Sequence, residues 1–282
     1  MKLHRASMFF DRDSVYDAYT GAYLWKAQFS GFDGSKPDGS FERRRTISVA
    51  PGTPNASRRV IKVQESVWLL GEFVQDTFFD KPIRLSGAAK LATDRYQILS
   101  PAQVVKGTVV DPVYAQTRYL KSTVDTQTTS GYQPFFDVYF GSTEKVPFGY
   151  FLKSNNKLLR VRDSYAELEG FVVAQADEIS DTVREASPEK GKVAVSIVGA
   201  FDPITETYTN SQTTVGILLD MYMFYDFKTE ADRPYEQGDK TLVLDNVVSI
   251  SAGDIVTIGS DSWQVKTKTP YYDAWNLHIR RA

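Results

Sequence analysis

The stretch 251-SAGDIVTIGSDSWQVKTKTPYYDAWNLHIRR-281 decides the fold, because an earlier stretch, 148-FGYFLKSNNKLLRVRDSYAELEGFVVAQADE-178, runs in step with it. With Phe151 set over Ile255, FLKSNNKLLRVRD lies over IVTIGSDSWQVKT without a gap. Each copy reads as strand, short turn, strand, loop and a further strand. Ile255, Val256 and Ile258 give the first strand of the second copy. Gly259, Ser260 and Asp261 supply its turn chemistry. Trp263 and Val265 lie two apart and share one face, as Leu159 and Val161 do in the first copy. Asn155 and Asn156 take the turn there, since Asn tolerates positive φ. Gly149 and Gly253 precede the two first strands at comparable distances. A looser third version, with a longer loop, runs from Val67 to Leu85. This is the recipe of a small, strongly twisted antiparallel barrel.

The rest of the chain agrees with an all-β class. RRVIKV, SVWLLGEFV, KPIRLSG, DRYQILS, QVVKGTVV, FFDVYFG, KVAVSIVG, VGILLDMYMFYDF and KTLVLDN are β-branched or aromatic runs bounded by Gly, Asn, Asp, Ser or Pro. Their short, regular spacing points to small barrels or sandwiches rather than a parallel sheet. Helix signals are few. Asp177 to Gly191 is the best candidate, closed early by Pro188 and Gly191, and Asp11 to Gly21 reads as a turn or short helix. The expected architecture is therefore two linked small SH3-like barrels or sandwich lobes with long extended loops. The first takes residues 1–146 with its arms and the second takes 147–282, with Pro147 and Gly149 as punctuation. The long polar loops, such as Ser30–Arg45, Ala50–Arg59, Lys121–Pro134 and Asp226–Lys240, read as arms that order against a neighbouring subunit.

Composition narrows the function. At 282 residues with 42% hydrophobic side chains, the chain is long enough to bury a substantial core. A formal net charge of -2 gives no global pull toward nucleic acid or membrane, and no apolar run is long enough for a membrane span. The absence of cysteine excludes disulfides and thiol chemistry and fits folding in a reducing cytoplasm. The two histidines, His4 and His278, have no metal-ligand spacing, and neither a Walker loop, a G-x-G-x-x-G nor a G-x-S-x-G elbow is present. Neither a cofactor nor a metal is expected. Carboxylate pairs are the remaining catalytic candidates: Glu167 with Glu169, Asp177 with Glu178, and Asp220 with Asp226. Acids at strand ends are ordinarily surface or ion-pair groups, so the reading is not an enzyme.

Two phrases carry a resemblance. AGDIVTIGSDSWQVKTK resembles the GD-x-V-x-I-x-G-x-x-Y/W-x-V pattern of small β-barrel proteins at the head–tail junction of tailed bacteriophages. FLKSNNKLLRVRDSYAELEGFVVAQADEI is similar to a related phage phrase with R-V-R and a terminal A-x-x-D-E-[LI]. The resemblance implies a head–tail connector, head-closure or tail-completion protein of the virion neck. It would form a ring of copies of itself between portal-side and tail-side neck proteins, around DNA bound without sequence specificity, with no membrane partner. The chain departs from the pattern in length, because the smaller members hold about one such barrel. Arg43, Arg44, Arg45, Arg58 and Arg59 are the candidate contacts to the DNA channel or to subunits, with Arg280 and Arg281 a further basic pair. The alternative is a carbohydrate-binding or host-recognition β protein of the tail or baseplate, which 16 tyrosines and 4 tryptophans would equally suit.

Overall fold

The computed structural model describes residues 13–30, 34–35, 41–42, 44–53, 60–78, 81–120, 135–141, 143–155, 157–179, 192–198, 201–202, 204, 207–208, 212–220 and 238–282. These residues form linked small β-barrels, as the strand pattern predicts, and the barrels number three rather than two.

The first barrel contains β1 (Asp13–Asp17), β2 (Tyr23–Ser30), β5 (Arg44–Val49), β6 (Val60–Val63), β7 (Ser66–Phe78) and β8 (Lys81–Leu91). Two short strands, β3 (Gly34–Ser35) and β4 (Phe41–Glu42), pair with each other between β2 and β5. The second barrel contains β9 (Asp94–Leu99), β10 (Val113–Leu120), β11 (Phe135–Phe140), β12 (Phe151–Lys153), β13 (Leu158–Ala166) and β14 (Val172–Glu178), with helix α1 (Pro101–Lys106) after β9. The third contains β15 (Lys192–Val198), β18 (Gln212–Asp220), β19 (Lys240–Asp245), β20 (Ile255–Ile258), β21 (Asp261–Tyr271) and β22 (Ala274–Arg281). A small pair, β16 (Phe201–Asp202) and β17 (Thr207–Tyr208), lies between β15 and β18.

All three barrels share one connectivity. Counting strands within each barrel, the order around the wall is first, second, third, sixth, fifth, fourth, and the fourth closes on the first. Closure pairs Val15 with Val63, Phe151 with Leu99 and Val195 with Ile258. A closed wall leaves no open sheet edge.

The repeat seen in the sequence is the fourth–fifth strand hairpin. Phe151 pairs with Arg160 as Ile255 pairs with Gln264, and Val60 pairs with Leu69 in the same register. The third copy therefore begins at Val60, upstream of where the looser match at Val67 starts. Gln64 (φ 51) turns the β6–β7 hairpin and Gly259 (φ 61) turns the β20–β21 hairpin, both in the left-handed region. A bulge follows the second inward residue of every fifth strand: after Leu70, Val161 and Val265. Such bulges sharpen the local bend that closing a six-stranded wall requires.

Inside the first two barrels the core combines large side chains with alanines, whereas the third is filled by large and branched side chains. Trp25, Ile47 and Trp68 pack over Ala27 and Ala89 in the first. Phe136, Phe140 and Leu152 pack over Ala115, Ala174 and Ala176 in the second. Trp263, Leu242 and Ile279 fill the third.

Two expectations are corrected. The division at residue 146 falls between β11 and β12 and cuts the second barrel, because β12 bonds to β9 upstream and β11 bonds to β14 downstream. QVVKGTVV is not a strand: residues 103–106 belong to α1. A Ser100/Gln103 capping box starts that helix, Pro101 sits in its first turn, and Gly107 (φ 71) ends it. Of Asp11 to Gly21, expected as a turn or short helix, residues 13–17 form β1 and residues 18–20 a turn. The helix candidate at 177–191 lies outside the described residues beyond Ile179, and Asp177 and Glu178 end β14. Lys121–Pro134 and residues 221–237, with the aromatic run Tyr222, Phe224 and Phe227, also lie outside them. No helix among the described residues is long and apolar enough to cross a membrane.

Candidate functional site

Buried polar and aromatic residues meet at two junctions between successive barrels. At the first junction, the loop between β13 and β14 leans on the bulge of β7. Glu72 N donates to Glu169 O at 2.6 Å. Gly71 permits the approach: a Cβ there would overlap Glu169 O and lie 3.1 Å from the Phe171 ring. Gly170 (φ 81) makes the reciprocal approach, since a Cβ on it would come within 2.9 Å of Glu72 N. Lys90, only 1% exposed, lies 4.2 Å from the Tyr139 ring centre and 5.1 Å from that of Phe171, with Glu167 3.8 Å away. A buried ammonium needs such partners, because taking it from water costs several kcal/mol. Val60, Leu69, Tyr139, Phe171 and Val173 bury the apolar part of this junction. Tyr114 N donates to Tyr19 Oη at 3.2 Å on its flank.

The second junction uses the same parts in a different composition. The turn after β21 reaches back to the second barrel. Tyr271 Oη donates to Gly149 O at 2.7 Å, and Tyr272 Oη donates to Phe148 O at 2.6 Å. Asp273 accepts from Ser100 Oγ at 2.5 Å and from Ala102 N at 3.0 Å, so a carboxylate of the third barrel sits on the first turn of α1. Arg160, 1% exposed, donates from Nε to Tyr271 Oη at 3.2 Å. Burial pushes the Tyr271 phenol up, against the opposing pull of the Arg160 charge. Burial likewise raises the Asp177 carboxyl, with Arg162 and Arg160 opposing. Lys106 pairs with Asp245 at 3.0 Å across the same seam. Beneath these groups Leu99, Val104, Val105, Ile217, Leu219 and Val243 form one continuous apolar cluster.

The sequence candidates fall as follows. Arg43, Arg58 and Arg59 lie outside the described residues. Arg44 opens β5 and Val60 opens β6, and the register puts them in one cross-strand row through Lys90 and Leu69. Arg45 is exposed and lies 5.4 Å from the Trp68 ring centre. Arg280 holds Asp239 through two 3.0 Å bonds, and Arg281 pairs with Asp261. His278 is buried on β22 with Nε2 2.7 Å from the same Asp239, and His4 lies outside the described residues. Glu167 and Glu169 belong to the first junction, and Asp177 lies beside the two arginines of β13. Asp226, partner in the third pair, lies outside the described residues. Among the described residues no group of three His, Asp or Glu is arranged to hold a metal ion.

Sequence reasoning missed Lys90, Gly71 and the Tyr271–Asp273 turn. A signal for Gly71 was present, because an isolated glycine inside an apolar strand marks a bulge or close backbone approach. Comparison with family models, with curated proteins and with solved structures gives no match to this chain.

Proposed function

We propose that this chain is a non-catalytic building protein of a tailed-phage particle. Copies pack into a ring in the neck, between head and tail, which joins the adjacent rings and surrounds the DNA channel. The observation that carries the reading is the serial construction: three barrels of one connectivity that meet through buried charge, aromatic and apolar contacts. Such a block holds its spacing under load, which is what a ring joining two others requires. The hairpins that bear the phage-like phrases are β12–β13 and β20–β21, the same element in consecutive barrels.

Tyr139, Phe171 and Tyr271 are buried at the seams, which favours the building role, whereas Tyr23, Phe148 and Tyr272 stay exposed. In this reading the Arg43–Arg45 and Arg58–Arg59 segments face DNA or a neighbouring subunit. The phosphate contacts would be blind to sequence and weakened by salt. The reading is tested by mass measurement of the purified chain and of the assembled particle, with electron microscopy of both. Annular assemblies of uniform copy number are expected. A strict monomer, even in the presence of its neck partners, overturns the reading.

A further inference from the structure

Lys90 stands in the wall of the first barrel, paired on one side with Arg44 of β5 and on the other with Leu69 of β7. Its side chain enters the first junction, where the rings of Tyr139 and Phe171 from the second barrel face its ammonium. Glu167, on the same loop as Glu169, is its ion-pair partner, and the pair is not an ordinary salt bridge. The 3.8 Å between Nζ and Oε2 exceeds the ~3.2 Å reach of a hydrogen bond. Glu167 Oε2 is enclosed and accepts no hydrogen bond. Enclosed carboxylate oxygens in folded proteins are ordinarily hydrogen-bonded, because leaving one bare forfeits its hydration without return.

Both residues are held by fixed backbone. Lys90 is bonded into the sheet on either side. Glu167 N donates to Phe171 O at 2.8 Å, Gly170 N donates to Glu167 O at 2.7 Å, and Glu72 N ties the same loop to β7 through Glu169 O. An amine and a carboxyl are thereby kept side by side, and such positioning turns a slow bimolecular condensation into an intramolecular one. The amine end is dry, since the Lys90 side chain is 1% exposed, which disfavours hydrolysis of a bond once made. The Glu167 side chain is 33% exposed, which leaves an expelled water a way out. The chain has no cysteine, so no disulfide can close this seam. Arg160, the buried cation of the second junction, carries a guanidinium that stays charged and is no nucleophile, so the chemistry is confined to the first.

We infer that Lys90 and Glu167 condense to an intramolecular isopeptide bond, a covalent staple between the first and second barrels. One proton passes from the ammonium to the carboxylate, which leaves an amine and a carboxylic acid. The Nζ lone pair attacks Glu167 Cδ, the N–C bond forms, and the carbonyl electron pair moves onto oxygen. A proton then moves from nitrogen to the hydroxyl. The C–O bond breaks with its electron pair on the departing water, and the carbonyl re-forms. Ammonium and carboxylate thus become a neutral amide and one water, and nothing is oxidised or reduced. The bond also accounts for the bare carboxylate oxygen, because that carboxylate no longer exists in the product. The inference is independent of the ring reading above and stands or falls without it.

The test is intact-mass spectrometry of the full chain after folding, followed by tryptic mapping under denaturing conditions. The wild-type chain is expected one water lighter than its sequence. Trypsin should fail to cut after Lys90, and the map should contain a branched peptide that joins the segment with Lys90 to the segment with Glu167. Lys90→Met and Glu167→Ala are each expected to restore the full mass and to abolish the branched peptide. A wild-type chain at full mass, with the two segments recovered as separate peptides, overturns the inference whether or not the variants fold. A water lost elsewhere, as in a succinimide at Asp33–Gly34, maps to a different peptide and overturns it as well.

Discussion

Replacing Gly71 with alanine tests the first junction with a sign as well as a size. Gly71 does not have the positive φ that would penalise a side chain. Away from any neighbour, Gly→Ala at such a site stabilises by about 0.4–1 kcal/mol through the unfolded chain. Here the added methyl would overlap Glu169 O, a backbone atom that no rotamer change can move, and would lie 3.1 Å from Phe171 Cε2. The β13–β14 loop must retreat by roughly an ångström, since packed interiors have no slack of that size. Overpacking of this kind costs about 1–3 kcal/mol. The retreat also lengthens the 2.6 Å bond from Glu72 N to Glu169 O, worth about 1 kcal/mol. Net destabilisation of roughly 2–3 kcal/mol is expected in urea unfolding. Hydrogen exchange should speed up at Glu72 and across residues 167–171 while the third barrel stays protected. Gly21→Ala (φ 72, nothing within 4 Å) is the control for left-handed strain alone, about 1–2 kcal/mol and no change in exchange at the junction. A Gly71→Ala chain as stable as the wild type, or more so, would show that the seam is not packed as described and would refute the reasoning.

Tyr271→Phe removes the buried hydroxyl that Arg160 donates to and that donates to Gly149 O, and should destabilise by about 1–3 kcal/mol; a loss under about 0.5 kcal/mol in urea titration would contradict the latch. Burial raises the Tyr96 and Tyr139 phenols from the ordinary 10.0 to about 12. The folded state therefore holds those protons longer than the unfolded one. The stability they contribute is whole below pH 10.0 and is lost as pH rises to about 12. Ultraviolet titration should show these two tyrosines ionising late, and the melting temperature should fall across that window. Gly259→Ala should cost about 1–2 kcal/mol from the left-handed turn alone, because nothing crowds the site; an unchanged melting temperature would count against the shared hairpin geometry.

The hairpins were legible because their determinants are local. Alternation at Trp263 and Val265, with a turn residue at Gly259, fixes a two-stranded unit within a dozen residues. The strands β2 and β10 escaped notice because their inward positions include Ala27 and Ala115, which carry little of the periodic signal a larger side chain gives. Those alanines are small because bulky residues from across the barrel fill the space over them. Helix α1 was misread because Val104 and Val105 favour strands. The capping box before them and the Asp273 carboxylate from another barrel decide otherwise.

The candidate site was less legible still. Lys90 reads as a surface lysine until Tyr139, Phe171 and Glu167 close over it. Arg160 reads as one arginine of an R-V-R phrase until Tyr271 arrives from the third barrel.

By itself, then, the sequence determined the all-β class, the repeated hairpin and its turns, since each depends on neighbours a few residues apart. The tertiary structure alone decided that there are three barrels and how they lock together. Closure joins Val15 to Val63 and Phe151 to Leu99, and stacking joins Gly149 to Tyr271. Contacts between residues so far apart along the chain are set by which surfaces can be buried together, and no local pattern encodes that.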